Sequence, residues 1–541
     1  MAFLAVFVLV STLFWQFHPL RALVISPDSA DIIDAGYAKY LGSRAHPNSV
    51  AYLGIPYAEP PLGERRFRAP LPLDTKRLSR LYNGTVVDAT AYPEFCIQGT
   101  TGGGDAGGAG SEDCLKVNIY APVGATRRSK RYIYGNPRNW PFEHWVQQSP
   151  NVVIVSVYYR LSSFGFLAVP EFRDQQHGDF NAGFMDQIQA LRWVKENIAS
   201  FGGDPSKVTI NGESAGGSSV ELHIVSQENL GEKLFSQAIA QSVYRTPLPT
   251  SDQRVPLFQF YADQAGCGAG SVAEQLACLR KASVSALARA QDAAKRSTSL
   301  AYNSFQPVLD GQLFRESPTI SILNGRFPKI PLIVGSTSNE SLGVPGGIDV
   351  TSNLHLFFPS LPSSDIQEIE SLYPISDYET EAQRVQVAVG ESQLICARSI
   401  LGHAFSKHGQ TWTYRYNQRN PTSGGTAVYH AAENWMMFLG SNTGYNGTTT
   451  FTTQTPIETA FSQELIAYWL SFVRSGNPNT FKLPQSPRWG VYSEDRKARI
   501  VLQQGLVGGD GKKSGSFVEA EDEKETSRCE VVGSKAEGQQ N

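Results

Sequence analysis

Val208-Thr209-Ile210-Asn211-Gly212-Glu213-Ser214-Ala215-Gly216-Gly217 runs from a β-branched apolar triplet straight into a cluster of small residues. The triplet predicts a short strand, and the small residues permit a sharp strand-to-helix turn. G-x-S-x-G at residues 212–216 is the form of that turn that presents a serine hydroxyl on a strained elbow. The Ala215 N–H then lies at a helix start, where unpaired backbone donors favour negative charge. The bare pattern also arises by chance in glycine-rich loops; its position between a strand and a helix start is what marks Ser214 as a candidate nucleophile.

Working outward, Val152-Val153-Ile154-Val155 is a continuous apolar run, as expected of a strand buried on both faces in a parallel sheet. Phe184, Ile188, Leu191, Val194 and Ile198 recur every three or four residues and predict an amphipathic helix that stops at Gly202-Gly203. Two more strands are expected at residues 331–334 and 412–416, with helical stretches at 276–294 and 461–473. Strands alternating with helices imply an α/β fold with a large, mostly parallel sheet. No internal repeat or Pro-rich linker divides the chain, so one catalytic domain is expected over residues 23–505. The Gly-, Lys- and Glu-rich stretch 506–541 is expected to be a mobile tail, except where Cys529 ties it down.

A serine hydroxyl needs a base, and the base needs a carboxylate to orient it. In a strand–elbow–helix enzyme the chain order is serine, acid, histidine. Downstream lie His223, His355, His403, His408 and His430. His403 and His408 fall in an expected helix and His355 in an apolar stretch, whereas His430 occupies the loop after the strand at 412–416 and is the candidate base. Glu340 follows the strand at 331–334 and emerges where parallel sheets gather their ligands, at strand carboxyl ends. It is the candidate acid. Asp310 is the alternative, but Asp310-Gly311 is more simply a turn. Gly102-Gly103-Gly104-Asp105-Ala106-Gly107 spells G-x-G-x-x-G without a strand before or a helix after it, and reads as a flexible loop.

Composition narrows the function classes. Of 541 residues 41% are apolar and 18% charged, which excludes disorder and coiled coil. Lys plus Arg number 47 against 50 Asp plus Glu, for a net charge of -3, so nucleic acid is not an expected partner. Residues 2–17 are almost wholly apolar, too short for a membrane span and suited to a secretory signal peptide over residues 1–22. No later segment is long and apolar enough for membrane insertion. The six cysteines, Cys96, Cys114, Cys267, Cys278, Cys396 and Cys529, contain no C-x-x-C pair; an even count with export fits disulfides better than metal. Asn83, Asn339 and Asn446 head N-glycosylation sequons, with Asn83 and Asn446 the expected sites.

Five stretches together resemble the type-B carboxylesterases, the cholinesterase and fungal-lipase branch of the α/β-hydrolases. They are Tyr52-Leu53-Gly54-Ile55-Pro56-Tyr57-Ala58 with Phe67-Arg68-Ala69-Pro70, Ser111-Glu112-Asp113-Cys114-Leu115, Tyr159-Arg160-Leu161 with Phe164-Gly165-Phe166, Phe201-Gly202-Gly203-Asp204-Pro205, and the Ser214 motif. The resemblance covers most of residues 52–478 and is nearest in appearance to secreted fungal members. It implies a secreted serine hydrolase of small-molecule esters that needs no cofactor and no metal; oligomeric state is left open. It also assigns Ser214, Glu340 (Asn339-Glu340-Ser341 where the family has D-E-G) and His430 (H-x-x-E through Glu433). It implies pairing of Cys96 with Cys114 and of Cys267 with Cys278, leaving Cys396 and Cys529 to each other. The segment between Cys96 and Cys114 serves as a lid in lipase members. Here it is short and mostly small or polar, which favours soluble esters over emulsified triglyceride.

One region departs from the family. An H-G-G-G or Y-G-G-G run after a central buried strand should supply most of the oxyanion hole, yet this chain reads Thr126-Arg127-Arg128-Ser129-Lys130-Arg131-Tyr132-Ile133-Tyr134-Gly135-Asn136-Pro137. Either residues 132–134 are what remains of the strand, with Gly135 the remaining donor beside Ala215, or strand and glycines are absent. One central strand is thus expected to be missing or shortened. That leaves three functional readings: an active or impaired ester hydrolase, a binding or adhesion-type protein on the same fold, and the product of a gene reading that omits a short segment of an active esterase.

Overall fold

The computed structural model describes residues 31–100, 110–123, 129–131, 140–340, 349–443, 449–506 and 513–541. The expected signal peptide, Gly135 and Asn446 lie outside them. Four antiparallel strands form one sheet in spatial order β1 (Ser43–His46), β2 (Ser49–Pro56), β3 (Lys116–Pro122) and then a strand taken up below, Ile154–Val157. In chain order β4 (Ser129–Arg131) comes before that fourth strand, which is β5. Helix α1 (Ala182–Asn197) then leads to β6 (Gly203–Glu213), α2 (Ala215–Val225), β7 (Gln237–Gln241) and β8 (Leu332–Thr337). After α3 (Glu381–Gly390) and a π-turn (Glu391–Ile395) come α4 (Cys396–Ser406), β9 (Thr411–Tyr416), α5 (Ala432–Met437) and α6 (Pro456–Ser475). The chain finishes with β10 (Ala498–Leu502), β11 (Phe517–Ala520), α7 (Glu523–Ser534) and α8 (Ala536–Gln539).

Strands β4 and β6 to β10 lie parallel in the order β4-β6-β7-β8-β9-β10, and β11 adds antiparallel at the far edge. Alternation along each strand feeds two cores. Ala238, Ala240, Leu332 and Val334 face a cluster with Phe184, Leu191 and Val194 of α1 and Leu401 and Phe405 of α4. Ile239, Ile333, Ile500 and Leu502 face the other, with Leu465, Trp469 and Phe472 of α6. Burial on both faces is why these strands read as unbroken apolar runs. Helix α6 is set locally: Thr455 and Glu458 form a reciprocal capping box, Pro456 occupies the first turn, and Gly476 ends the helix at φ 73°. The expected helical stretch at 276–294 is two helices, Val272–Lys281 and Val284–Arg296, because the Ser283 hydroxyl accepts from Ala286 N–H and starts the second.

Among the described residues the sheet is divided where the sequence departs from the family it resembles. A strand is described here at residues 129–131, at the edge of the seven-stranded sheet, while residues 132–134, where the remnant was expected, lie outside the described residues. Ser129 pairs with Gly203 and Arg131 with Val208, with a register shift between them. Among the described residues nothing continues that pairing along Thr209 to Glu213. Among the described residues β5 pairs with β3, and no strand joins the four-stranded and seven-stranded sheets by hydrogen bonds; residues 124–128 and 132–139 lie outside the described residues.

The tail expected to be mobile is instead folded over residues 513–541. Strand β11 pairs with β10, and Cys529 of α7 is bonded to Cys396 of α4. Arg398, fully buried, meets Glu521 and Glu525, while Arg528 holds Glu391 at 2.5 Å. The polar composition misled because these charges find partners more than a hundred residues away. The last residues are buried too: Gln539 accepts from the Arg245 guanidinium at 2.7 Å, and Asn541 accepts from the Thr319 hydroxyl at 2.9 Å and bonds Glu221 of α2. The other disulfides join Cys96 to Cys114 and Cys267 to Cys278.

Candidate active site

Strand β6 ends at Glu213 and α2 starts at Ala215, so Ser214 alone makes the turn, at φ 58° and ψ -118°. That conformation costs on the order of 1–3 kcal/mol for a non-glycine residue and persists only where its surroundings hold it. Here the Ser214 N–H donates to Gln241 O at 3.0 Å, on neighbouring β7. The glycines are dictated by contact: a Cβ on Gly212 would come within 2.2 Å of Gly216 O, and one on Gly217 within 2.5 Å of Gln241 O.

The structure brings Ser214, His430 and Glu340 into one hydrogen-bonded chain. His430 precedes α5, with Ala431 at φ 64° turning the chain into that helix. Its Nε2 is 2.7 Å from Ser214 Oγ and its Nδ1 2.6 Å from Glu340 Oε2. Glu340 Oε1 accepts the Thr337 N–H at 2.8 Å, fixing the carboxylate from the end of β8. An ionised carboxylate only accepts, which assigns the proton to Nδ1 and leaves Nε2 free to accept from the serine hydroxyl. Ala215 is exposed at the first position of α2, where its N–H has no intrahelical acceptor. A cavity of about 220 Å³ opens over Ser214, lined by Gln98, Trp140, Tyr158 and Leu161 among others.

The site's electrostatics are set by three buried glutamates. Glu213 Oε1 lies 3.4 Å from His430 Nε2, and the Asn434 amide donates to Glu213 Oε2 at 3.3 Å. Burial raises the Glu213 carboxyl above its ordinary range and lifts Glu433 to about 8. Burial pulls the His430 imidazole down, but the negative charges of Glu213, Glu340 and Glu433 outweigh it and hold it up at about 9. Among the described residues no group of three or more His, Cys, Asp or Glu side chains is placed to hold a metal ion.

The remaining candidates are placed elsewhere. Asp310 accepts from the Asn181 amide and from the N–H groups of Gln312 and Phe314, organising its own turn. His223 is buried between Gln187 and Asn229, and burial lowers it to about 3. His355 sits on the helix Val350–Phe357, His403 at the end of α4 beside Glu494, and His408 against the Phe327 ring. Asn83 is exposed at φ 43° as the cap of the helix Thr75–Tyr82; Asn339 is exposed, though its Oδ1 accepts from Val428 N–H.

A model of the carboxylesterase family matches residues 30–354 and 361–514. The chain belongs to the carboxylesterase family. This carboxylesterase is 28% identical over 535 residues to liver carboxylesterase B-1 of Rattus norvegicus, covering 88% of this chain and 92% of the relative. It is 29% identical over 499 residues to secreted lipase 4 of Gibberella zeae, covering 84% of each. Among solved structures it superposes on Aspergillus niger EstA with a TM-score of 0.80 at 28% identity, covering 94% of this chain and 99% of that one. A PNB esterase matches with a TM-score of 0.75 at 27% identity, covering 93% and 100%. The fold is therefore that of the α/β-hydrolases, and the family activity is carboxylic-ester hydrolysis by a serine hydrolase.

Sequence reading of this carboxylesterase gave Glu213 no role, although it stands inside the motif, and named Glu433 only through a family pattern. The signal was available: a strand that ends at the elbow carries its last side chain, Glu213, next to Ser214. Trp140 and Tyr158 were missed because nothing in their local sequence marks them as cavity-lining.

Proposed function

We propose that Ser214 is the nucleophile, His430 the general base and Glu340 the orienting acid of a secreted esterase acting on small, soluble esters. The observation that carries this reading is the Ser214 Oγ to His430 Nε2 to Glu340 Oε2 chain, with distances of 2.7 and 2.6 Å. His430 takes the hydroxyl proton as Oγ attacks the acyl carbon, then returns it to the departing alcohol. Water repeats the sequence on the acyl-enzyme. Glu340 holds the imidazole tautomer, and the Ala215 N–H donates to the oxyanion. Gly135, the other candidate donor, lies outside the described residues.

The single glycine at residues 126–137, where the family has a run of three, supports reduced activity. Each oxyanion donor lost lowers turnover about 100- to 1000-fold. The short segment between Cys96 and Cys114 supports short or medium acyl esters over emulsified triglyceride. The apolar residues 2–17 and three disulfides support export. A second reading, a binding or adhesion-type protein on the same fold, is favoured by the departure from the family's glycine run at residues 126–137. Fluorophosphonate labelling separates the two. Covalent labelling that disappears in Ser214→Ala supports the enzyme, whereas well-folded protein that never labels supports the binding protein.

A further inference from the structure

Far along the fold from Ser214, a cleft of about 300 Å³ opens between α4 and α7, larger than the cavity over the serine and sharing no lining residue with it. That volume is at the lower end of the range for small-molecule sites, ~300–1000 Å³. Its wall is apolar: Ile400 of α4, Cys529 and Gly533 of α7, and Leu323, which is 53% exposed beside it. Gly533 faces Ile400 closely, for a Cβ there would lie 3.3 Å from Ile400 Cδ1. The Ser399 hydroxyl is buried at this wall without a hydrogen-bond partner in the structure.

The rim carries two basic groups, Lys497 and His403, and one acidic group, Glu530. Both basic groups are held only loosely. Lys497 Nζ is 3.8 Å from Glu530 Oε1 and His403 Nε2 is 3.5 Å from Glu494 Oε1, and the two glutamate side chains are 72% and 53% exposed. Exposed pairs at such distances contribute little to stability, so exchanging either glutamate for another carboxylate costs little. Tyr492, also on the rim, already donates to Glu521 Oε2 at 3.1 Å. The groups left for a ligand head are therefore the Lys497 ammonium and the His403 ring N–H, above an apolar wall.

We propose that this cleft is a second ligand site, taking a small amphiphile with an apolar body against Ile400, Leu323 and Gly533 and a carboxylate head at Lys497 and His403. Carboxylic acids of this kind are the class that ester hydrolysis releases, but the site stands whether or not Ser214 reacts.

The test uses full-length Ser214→Ala protein, disulfides intact, titrated with octanoate, octanol and octylamine by calorimetry and ligand-observed NMR. Octanoate binds saturably and more tightly than the alcohol or the amine. Lys497→Glu, just after the turn at 494–496, weakens it by about tenfold or more. Thr526→Trp, on the half-buried face of α7 that borders the cleft, abolishes it while the far-ultraviolet dichroism and melting temperature stay unchanged. Three results overturn the proposal: no saturable octanoate binding up to about 10 mM, undiminished binding in a folded Thr526→Trp, or tighter binding of octylamine than of octanoate.

Discussion

Replacing Glu213 by glutamine removes a negative charge 3.4 Å from His430 Nε2 and keeps a side chain that fits beside Asn434. Three carboxylates together lift His430 from 6.5 to about 9 against the effect of burial, and Glu213 exerts the largest single charge effect among them. Its loss should lower the imidazole by roughly one pH unit, equivalent to ~1.4 kcal/mol of lost stabilisation of the imidazolium. The sign follows from the base's role. His430 must be neutral to accept the Ser214 proton, so reactivity rises with pH through its apparent pKa and levels off above it. In Glu213→Gln the rise begins roughly one unit lower. The imidazolium formed at the transition state loses the same stabilisation, so the alkaline plateau falls about tenfold. The two effects cancel below both pKa values, where the wild-type and variant profiles should superimpose. The assay is the second-order rate of fluorophosphonate labelling between pH 5 and 10, which reads the same base without requiring fast turnover. An unshifted rise in Glu213→Gln protein of native dichroism, or an undiminished plateau, would refute the electrostatic reasoning.

Ser214→Gly should be inert to fluorophosphonate yet more stable than wild type by about 1 kcal/mol, because glycine adopts positive φ at no steric cost; thermal melts check it. Glu340→Gln should lower turnover by about four orders of magnitude with the fold intact, while Asp310→Asn affects mainly its own turn. The reverse outcome in chromogenic ester assays would move the acid to Asp310. Inserting a strand and three glycines between Lys130 and Tyr132 should raise esterase activity by about two orders of magnitude. Equal activity of the two proteins would mean that other groups hold the oxyanion.

Elements that are buried on both sides were legible in the sequence from their apolar residues at 152–155, 208–210 and 332–334 and from the glycines of the elbow, though the first of these forms an antiparallel strand, Ile154–Val157, not the parallel one expected. Ser214, His430 and Glu340 were legible because each sits in a loop directly after such a strand. The C-terminal segment was not: Arg398, Glu521 and Glu525 look like solvated charges until the fold brings them together. The glutamate cluster escaped for a related reason. Glu213 is one residue from the nucleophile, but its effect on His430 depends on a loop more than two hundred residues downstream. The length of β4 was the hardest to place, since a run of Arg and Lys carries no strand periodicity.

Because Gln539 and Asn541 close over Arg245 and Glu221, the helix that begins at Ala215 is sealed by residues about three hundred positions downstream. A ribosome delivers α2 well before them, so Glu221 and Arg245 stay uncovered, and Cys396 unpaired, until residues 529–541 have emerged. Maturation of the layer that carries Ser214 thereby waits on a segment remote from it in sequence.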